Sequence, residues 1–455
     1  MASYLTSHLV SIVTACITVA LALHLFSTRR TSQSLLAWLI ALVFVPPVAI
    51  PLYVLFSIRK RPARPCPLVP ASAEVAAQTV DVPIARVLTS SGLPAARRGN
   101  AFALLATGEE AYARLLALIA TAARTIDLSV FILGDDEVGT AVVEALAARA
   151  RGGVRVRLIV DAVGSRTSAR RARRTLAAAG GELRVFMPLL RVPFSGVTNL
   201  RSHRKVALFD GERLFTGGMN VASEYMGPAA SPTRWRDVAA VATGPVARDT
   251  AALFQADWEF CGGAREALPA AAPEEHGEAV LQSVWSGPDV SDDALYDALL
   301  TALHGARERI VIVTPYYVPD EPMHRALLIA ARRGVKTTLV MPARSNHYLA
   351  DIARRGLLVE LRAAGVELWA YERGMVHAKA MAVDSDFAFV GSPNLDMRSL
   401  YLNYENALFV YSAKEVAAVA GFIEELRAES ERDAFDLTPR FWLFEQLARL
   451  AAPEL

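Results

Sequence analysis

The sequence predicts an α/β protein built from two duplicated halves with mixed sheets around one shared active site, preceded by an N-terminal transmembrane helical hairpin. Three observations predict this. A polar pattern is written twice: His203, Lys205 and Asp210 recur at the same spacing as His377, Lys379 and Asp384. A strand–helix–strand texture precedes each copy. Two long uncharged runs open a chain that is 53% hydrophobic, with a mean hydropathy of +0.29.

The uncharged runs cover residues 9–27 and 34–56, and each is close to the ~20 residues that a helix needs to cross a bilayer. No Lys or Arg precedes the first run, which argues against a cleaved signal peptide. A re-entrant or interfacial second run is the competing reading, because Pro46, Pro47 and Pro51 would kink it. Trp38 and Tyr53 lie near its ends, where an interface would hold them. Arg29 and Arg30 separate the runs, whereas Arg59, Lys60, Arg61 and Arg64 follow the second. The larger cluster favours the cytoplasmic side for everything after it.

Residues 62–96 are rich in Pro and Ala and read as a linker. The first half is then expected over 97–266, an Ala-, Pro- and Glu-rich junction over 267–278, and the second half with a C-terminal tail over 279–455. In the first half, an apolar strand at 125–133 leads to a helix at 141–151 and a strand at 154–160. Residues 309–317, 323–333 and 335–341 repeat the series, as a parallel βαβ unit does. The offset between copies drifts from 184 at Ile126/Ile310 to 174 at His203/His377, as short insertions and deletions after a duplication would produce.

Around each polar pattern the texture is β. Lys205 and Lys379 open short apolar strands, Gly211 and Ser385 open turns, and return strands follow at 214–216 and 388–390. Residues two apart on a strand share a face, so each His projects with its Lys. Asp210 and Asp384 lie past the strand end, where a turn can bring a carboxylate back. Fourteen residues after each His comes a small pair, Gly217-Gly218 and Gly391-Ser392, that lets backbone approach a ligand; Asn220 and Asn394 follow. Of 48 Lys and Arg, Lys is found only at 60, 205, 336, 379 and 414. Two of these five sit in the repeated pattern, as a site needing a compact ammonium would require.

These residue types suit transfer at a phosphodiester without a metal. One imidazole attacks phosphorus and the other protonates the leaving alkoxide. Lys205, Lys379, Asn220 and Asn394 supply fixed donors to the phosphate oxygens, with Gly218 and Ser392 beside them. An acid orients each imidazole. A Lys between metal ligands would repel a cation, so neither metal nor cofactor is expected. Cys16, Cys66 and Cys261 are few and scattered, which argues against a zinc site or disulfide framework. Net charge is +2, and its distribution says more than its total. Arg166, Arg170, Arg171, Arg173 and Arg174 form a basic stretch suited to anionic headgroups, which a solvated helix face explains equally well. Among the other histidines, His8, His24, His276, His304 and His324 have no echo, whereas His347 follows a strand end and can reach the site.

At these residues the chain resembles the phospholipase D superfamily, defined by paired H-x-K-x4-D patterns with the following small pair and Asn. Residues 199–205, 216–220, 235–237, 314–319, 374–379 and 391–399, with Asn403 and Glu405, resemble the bacterial cardiolipin synthases in particular. The N-terminal hairpin and the last seven residues fit the same family. The resemblance implies a transfer of phosphatidyl from one phosphatidylglycerol to another, giving cardiolipin and glycerol through a phosphatidyl-histidine. It implies His203 as nucleophile and His377 as acid and then base, with Asp210 and Asp384 supporting the site. It also implies a multi-pass protein of the bacterial inner membrane whose partners are phosphatidylglycerol and other anionic phospholipids. Hydrolysis, another alcohol acceptor, and a superfamily nuclease are the alternatives. The anchor, and the lack of a basic stretch lined by aromatics, count against nucleic acid as a partner. Asn346 stands where relatives often carry Asp, and Glu454 interrupts an apolar ending.

Overall fold

The structure, a computed structural model, describes residues 2–27, 32–56, 79–188, 199–266, 275–290 and 292–437. The chain divides into two compact units, Met1–Arg59 with Pro188–Leu200, and Lys60–Met187 with Arg201–Leu455. The expected junction at 267–278 falls largely outside the described residues, as do residues 62–78 and the C-terminal tail beyond 437.

In the first unit, α1 (Ala2–Ser27) holds a stretch, His8–Ser27, long and apolar enough to cross a membrane. The second uncharged run is not one straight helix. It forms α2 (Ser32–Phe44) and α3 (Pro46–Phe56). Pro46 and Pro47 have no N–H to give to the preceding turn, so the ladder breaks there and resumes where the Ala49 N–H donates to the Val45 carbonyl at 2.9 Å. Among the described residues, only the first run therefore makes an uninterrupted span. Leu25, Leu42, Ala49 and Tyr53 form the small core of this unit. Trp38 meets the Tyr53 ring edge-on at 5.2 Å, and His24 Nδ1 hydrogen-bonds the Tyr53 hydroxyl at 2.6 Å.

The second unit is organised by one 16-stranded sheet that contains the duplication. Strand β1 (Thr79–Val80) pairs with β2 (Ala96–Leu105). The first half continues with β3 (Thr125–Val130), β4 (Arg155–Asp161), β5 (Glu182–Phe186), β6 (Val206–Phe209), β7 (Arg213–Gly217) and β8 (Ala239–Thr243). Their spatial order is β2-β8-β7-β6-β3-β4-β5. The second half has β9 (Ala279–Ser286), β10 (Arg309–Val313), β11 (Tyr317–Val318), β12 (Lys336–Pro342), β13 (Glu367–Tyr371), β14 (Ala380–Val383), β15 (Phe387–Gly391), β16 (Leu395–Asp396), β17 (Glu405–Val410) and β18 (Glu431–Arg432). Their order, β9-β17-β15-β14-β10-β12-β13-β18, repeats the first, with β11 and β16 paired separately. Strands β3, β4 and β5 run parallel, as do β10, β12 and β13, and the other pairs within the large sheet are antiparallel. Strand β2 joins β9 across a bulge between Arg97 and Asn100, which makes the two sheets continuous.

The crossover helices form where the sequence places caps. Asp136 accepts from Gly139 N at 2.8 Å to start Glu137–Arg151, and Asp320 accepts from Met323 N to start Glu321–Arg332. Each helix buries its apolar stripe: Val142 and Leu146 against Ile126 and Leu158, and Leu327 and Leu328 within the second core around Ile310 and Leu339. One boundary needs correction. Residues 79–96 are not linker. Pro83 opens the helix Pro83–Ser90, and Leu88 and Leu93 are fully packed into the core of the second half. About two turns of Pro- and Ala-containing sequence hid an amphipathic helix too short to show a period.

Candidate active site

Each His arrives on a segment that pairs not with its own half but with the other. The His203 N–H donates to the Tyr404 carbonyl at 2.8 Å, and Tyr404 N donates to the Arg201 carbonyl. The His377 N–H donates to the Arg236 carbonyl at 2.7 Å, and Arg236 N donates to the Met375 carbonyl. These crossed bridges put both histidines at the seam between halves, each just before a strand, β6 or β14.

The crossing brings an acid to each ring. His203 Nδ1 lies 3.1 and 3.0 Å from the two carboxylate oxygens of Glu405, which opens β17. His377 Nδ1 lies 2.7 Å from Asp237 Oδ2, just before β8. Both Nδ1 atoms are thereby engaged; among the described residues His203 Nε2 is left to a ligand, whereas His377 Nε2 also meets Lys379 Nζ at 2.8 Å. Phe131 packs edge-on against His203 at 5.2 Å, and Tyr225 and Trp235 pack on His377 at 5.0 and 5.4 Å.

The lysines share the seam. Lys205 Nζ donates to the His203 carbonyl at 2.8 Å, and Lys379 Nζ lies 2.8 Å from both ring nitrogens of His377. Burial lowers Lys205 to about 8 and Lys379 to about 7, against the pull of Glu405 and Asp237. Burial also drives His203 down to about 4, with Glu405 opposing and the two lysines assisting, and His377 well below its ordinary value. Asp237 is pushed up to about 6 by burial. Burial acts upward on Glu405 too, but His203, Lys205 and Ser392 outweigh it and hold it below the usual range. Thus the two acid–imidazole pairs are chemically unequal.

The small pairs serve these acids. A Cβ at Gly218 would collide with the Asp237 carboxylate, and one at Gly391 would sit 2.6 Å from the Asn406 carbonyl. Ser392 uses its hydroxyl to donate to Glu405, which also accepts from Asn403 Nδ2 at 3.2 Å. Asn220 accepts from Ile132 N at 3.0 Å, and Asn394 Nδ2 donates to Ser399 Oγ at 3.1 Å. The Asn394 side-chain oxygen is buried with no hydrogen bond among the described residues. Between His203 and Lys205, Arg204 ties the halves: its guanidinium donates to Asp257 at 2.6 Å, to the Ser286 carbonyl at 3.0 Å and to the Glu405 carbonyl at 3.2 Å. His347 is exposed, with its ring edge-on to Tyr316 at 5.0 Å, within electrostatic reach of His377.

Asp210 and Asp384 are not brought back to the imidazoles. Seven residues of extended chain cover roughly 23 Å, so each carboxylate sits at the far end of its strand from the His. Asp210 accepts from Arg124 N at 2.6 Å and from Ala123 N and Thr125 N, and pairs with Arg213 at 2.9 Å. Asp384 accepts from the N–H groups of Arg307, Glu308 and Arg309. Both adopt a left-handed φ, 59° and 51°, which Asp tolerates in a hairpin turn. Burial acts upward on both, but these backbone donors outweigh it and lower both carboxyls. Asp210→Asn keeps the turn geometry and removes the charge. It is expected to cost about 2 kcal/mol of stability, seen as a lower Tm, with kcat nearly unchanged in the folded protein. A large kcat loss without loss of Tm would return Asp210 to the chemistry.

A duplicated α/β unit with two crossed histidine–acid pairs and two lysines at its seam defines the phospholipase D-like class. The family model described as "Cardiolipin synthase, PLD-like domain" matches residues 115–258 and 299–427. The cardiolipin synthase of Geobacillus kaustophilus (strain HTA426) is 31% identical, covering 98% of this chain and 94% of that protein. That of Geobacillus thermodenitrificans (strain NG80-2) is 34% identical over 78% of this chain and 72% of its own. The crystal structure of a phosphatidylserine synthase from Haemophilus influenzae Rd KW20 shares the fold, with a TM-score of 0.60 at 15% identity, covering 82% of this chain and all of that one. This chain belongs to the cardiolipin synthase, PLD-like domain family.

Sequence reasoning missed Asp237 and Glu405 as the imidazoles' partners. A signal was present: beyond the small pair and Asn, each acid lies at a strand start, Asp237 two residues before β8 and Glu405 first in β17, in Trp235-Arg236-Asp237 and Asn403-Tyr404-Glu405.

Proposed function

We propose that this chain is a phosphatidyltransferase that joins two phosphatidylglycerol molecules into cardiolipin and glycerol at a bacterial membrane. The observation that carries this reading is the crossed pairing of His203 with Glu405 and His377 with Asp237, which fixes each ring through Nδ1 and gathers two imidazoles and two ammonium groups at one seam. His203 is the nucleophile. Its Nδ1–H is held by an ionised Glu405, and its ring stays neutral, with Nε2 bare, above about pH 4. His203 Nε2 attacks phosphorus, and the P–O bond to the headgroup glycerol breaks as His377 gives its proton to that oxygen. The hydroxyl of a second phosphatidylglycerol then gives its proton to His377 and attacks the phosphatidyl-histidine, freeing His203. Atoms and charge balance without water. In the empty site His377 is held neutral by burial and by Lys379; an arriving phosphate anion opposes both and favours the protonated ring. Lys205 and Lys379 hold the non-bridging oxygens, with Asn220 and Asn394 beside them. Asp210 and Asp384 act on the scaffold.

The hairpin keeps the enzyme where its substrates are. The second run, kinked at Pro46, is the second pass, and the larger basic cluster after it favours the cytoplasmic side for the catalytic unit.

The lysines set the pH dependence. Both must be protonated to hold phosphate, and kcat/KM reports the free enzyme, so it should fall as pH rises through about 7 to 8. Lys379→Arg, which keeps its charge, should hold its residual activity to higher pH. A profile flat from about pH 6 to 9 would contradict the lysine roles. Membranes holding the overproduced protein, given labelled phosphatidylglycerol, should yield cardiolipin and free glycerol. Phosphatidic acid without cardiolipin would instead establish the hydrolytic reading.

A further inference from the structure

The basic stretch seen in the sequence is not spread evenly over a solvated helix. Residues 162–181 contain five arginines and no acid. Arg171 is neutralised by Asp135 at 2.5 Å. Arg166, Arg170, Arg173 and Arg174 are exposed and have no ion-pair partner among the described residues. The last three lie at i, i+3 and i+4 on the helix Ala169–Ala178, so they share one face, opposite the buried Ala172 and Leu176. The turn just before this helix exposes Val163 to 47%.

That turn is fastened to the catalytic residues. Ser165 Oγ donates to the Phe131 carbonyl at 2.9 Å and accepts from Leu133 N, and the Phe131 ring packs on His203. Asp161, fully buried at the end of β4, accepts from Val163 N at 2.8 Å and from Ser202 N, next to His203, at 3.1 Å. The equivalent turn of the second half follows β12. It carries His347, which lies within electrostatic reach of His377, and next to it Tyr348, 72% exposed at the start of the helix Tyr348–Ala363. Both turns thus leave the C-terminal ends of equivalent strands beside the two histidines, with an exposed apolar or aromatic side chain at each.

We propose that these two turns form a docking rim for an anionic phospholipid surface: Val163 and Tyr348 enter the headgroup layer while Arg166, Arg170, Arg173 and Arg174 engage lipid phosphates. The inference rests on the transferase reading and adds a contact made by the catalytic unit itself, apart from the N-terminal helices. Charge complementarity selects the occupant, because cationic side chains beside apolar ones suit an anionic interface, where each Lys or Arg adds attraction and aromatic residues anchor. Held at the surface, the site would draw both substrates from the membrane plane without lifting acyl chains through water.

The test uses the full-length protein in mixed micelles of nonionic detergent and phosphatidylglycerol, with rate read as phosphatidylglycerol consumed. Replacing Arg166, Arg170, Arg173 and Arg174 together by Gln should raise KM, expressed as lipid mole fraction in the micelle surface, on the order of tenfold. The kcat should stay within about twofold. Salt should raise the wild-type KM toward that of the variant and leave the variant unmoved. Monomeric dihexanoyl phosphatidylglycerol should be turned over equally by both proteins. Val163→Asp with Tyr348→Ser should also raise KM but keep the salt dependence. An unchanged KM in the arginine variant would overturn the proposal. So would an equal loss on the monomeric substrate, which would assign the arginines to folding. Arginine-dependent inhibition by a short single-stranded DNA, with lipid KM unaffected, would assign the patch to nucleic acid and overturn it as well. Because consumption is read, phosphatidic acid appearing in place of cardiolipin would sink the transferase reading and leave the docking result legible.

Discussion

His203→Ala is expected to remove activity, by about 10⁴-fold or more, because His203 is the group assigned the covalent bond to phosphorus, and His377 is needed as the acid. His377→Ala should be equally slow with phosphatidylglycerol, since the glycerol alkoxide then leaves without a proton. The two roles separate with a phosphatidyl ester of p-nitrophenol, whose leaving group needs no proton. On that ester, His377→Ala should still release a burst of nitrophenol, close to one per active site, and then stall. His203→Ala should release none. The reverse pattern would exchange the nucleophile and the acid between the halves.

The second large effect belongs to the acids from the opposite half. Glu405→Gln leaves a side chain of the same shape that no longer fixes His203 with Nδ1 protonated and Nε2 free. A loss of roughly 10³–10⁴ in kcat follows from the same logic that governs histidine–carboxylate pairs in acyl transfer. Asp237→Asn should act on the His377 step and slow the full reaction comparably, yet leave the nitrophenol burst in place, because that burst needs only His203. Circular dichroism and Tm separate this from unfolding: both variants keep their hydrogen-bonding partners in outline and should stay folded. If Glu405→Gln kept more than about a tenth of wild-type kcat, the crossed pairing would not be what activates His203.

The repeated polar pattern named, before any coordinates, residues that the fold gathers at one seam. His203, Lys205, His377, Lys379, the small pairs and Asn220 and Asn394 all converge on the seam, because spacing within a hairpin is local and strand alternation governs it. Asp210 and Asp384 were legible as residues but not as roles. Sequence gives seven positions between His and Asp, not the straightness of the four-residue strand that carries the Asp away. Glu405 and Asp237 were hidden for the opposite reason. They lie 202 and 140 residues from the rings they hold, and only the crossing of two halves brings them near. The fold followed the same division. The βαβ units and the duplication could be read from period and offset, whereas the helix Pro83–Ser90 could not, because two turns of helix carry too few apolar positions to declare a face. The kink in the second apolar run was signalled by Pro46 and Pro47.

The central claim is that one phosphatidyl group passes through His203 from lipid to lipid. Purified enzyme, mixed with phosphatidylglycerol labelled in its phosphate and quenched within a turnover, should carry label on a peptide containing His203. That label should be acid-labile and should chase into cardiolipin, with one glycerol released for each cardiolipin formed. Label on the peptide containing His377, or phosphatidic acid formed with no labelled enzyme and no cardiolipin, would contradict it.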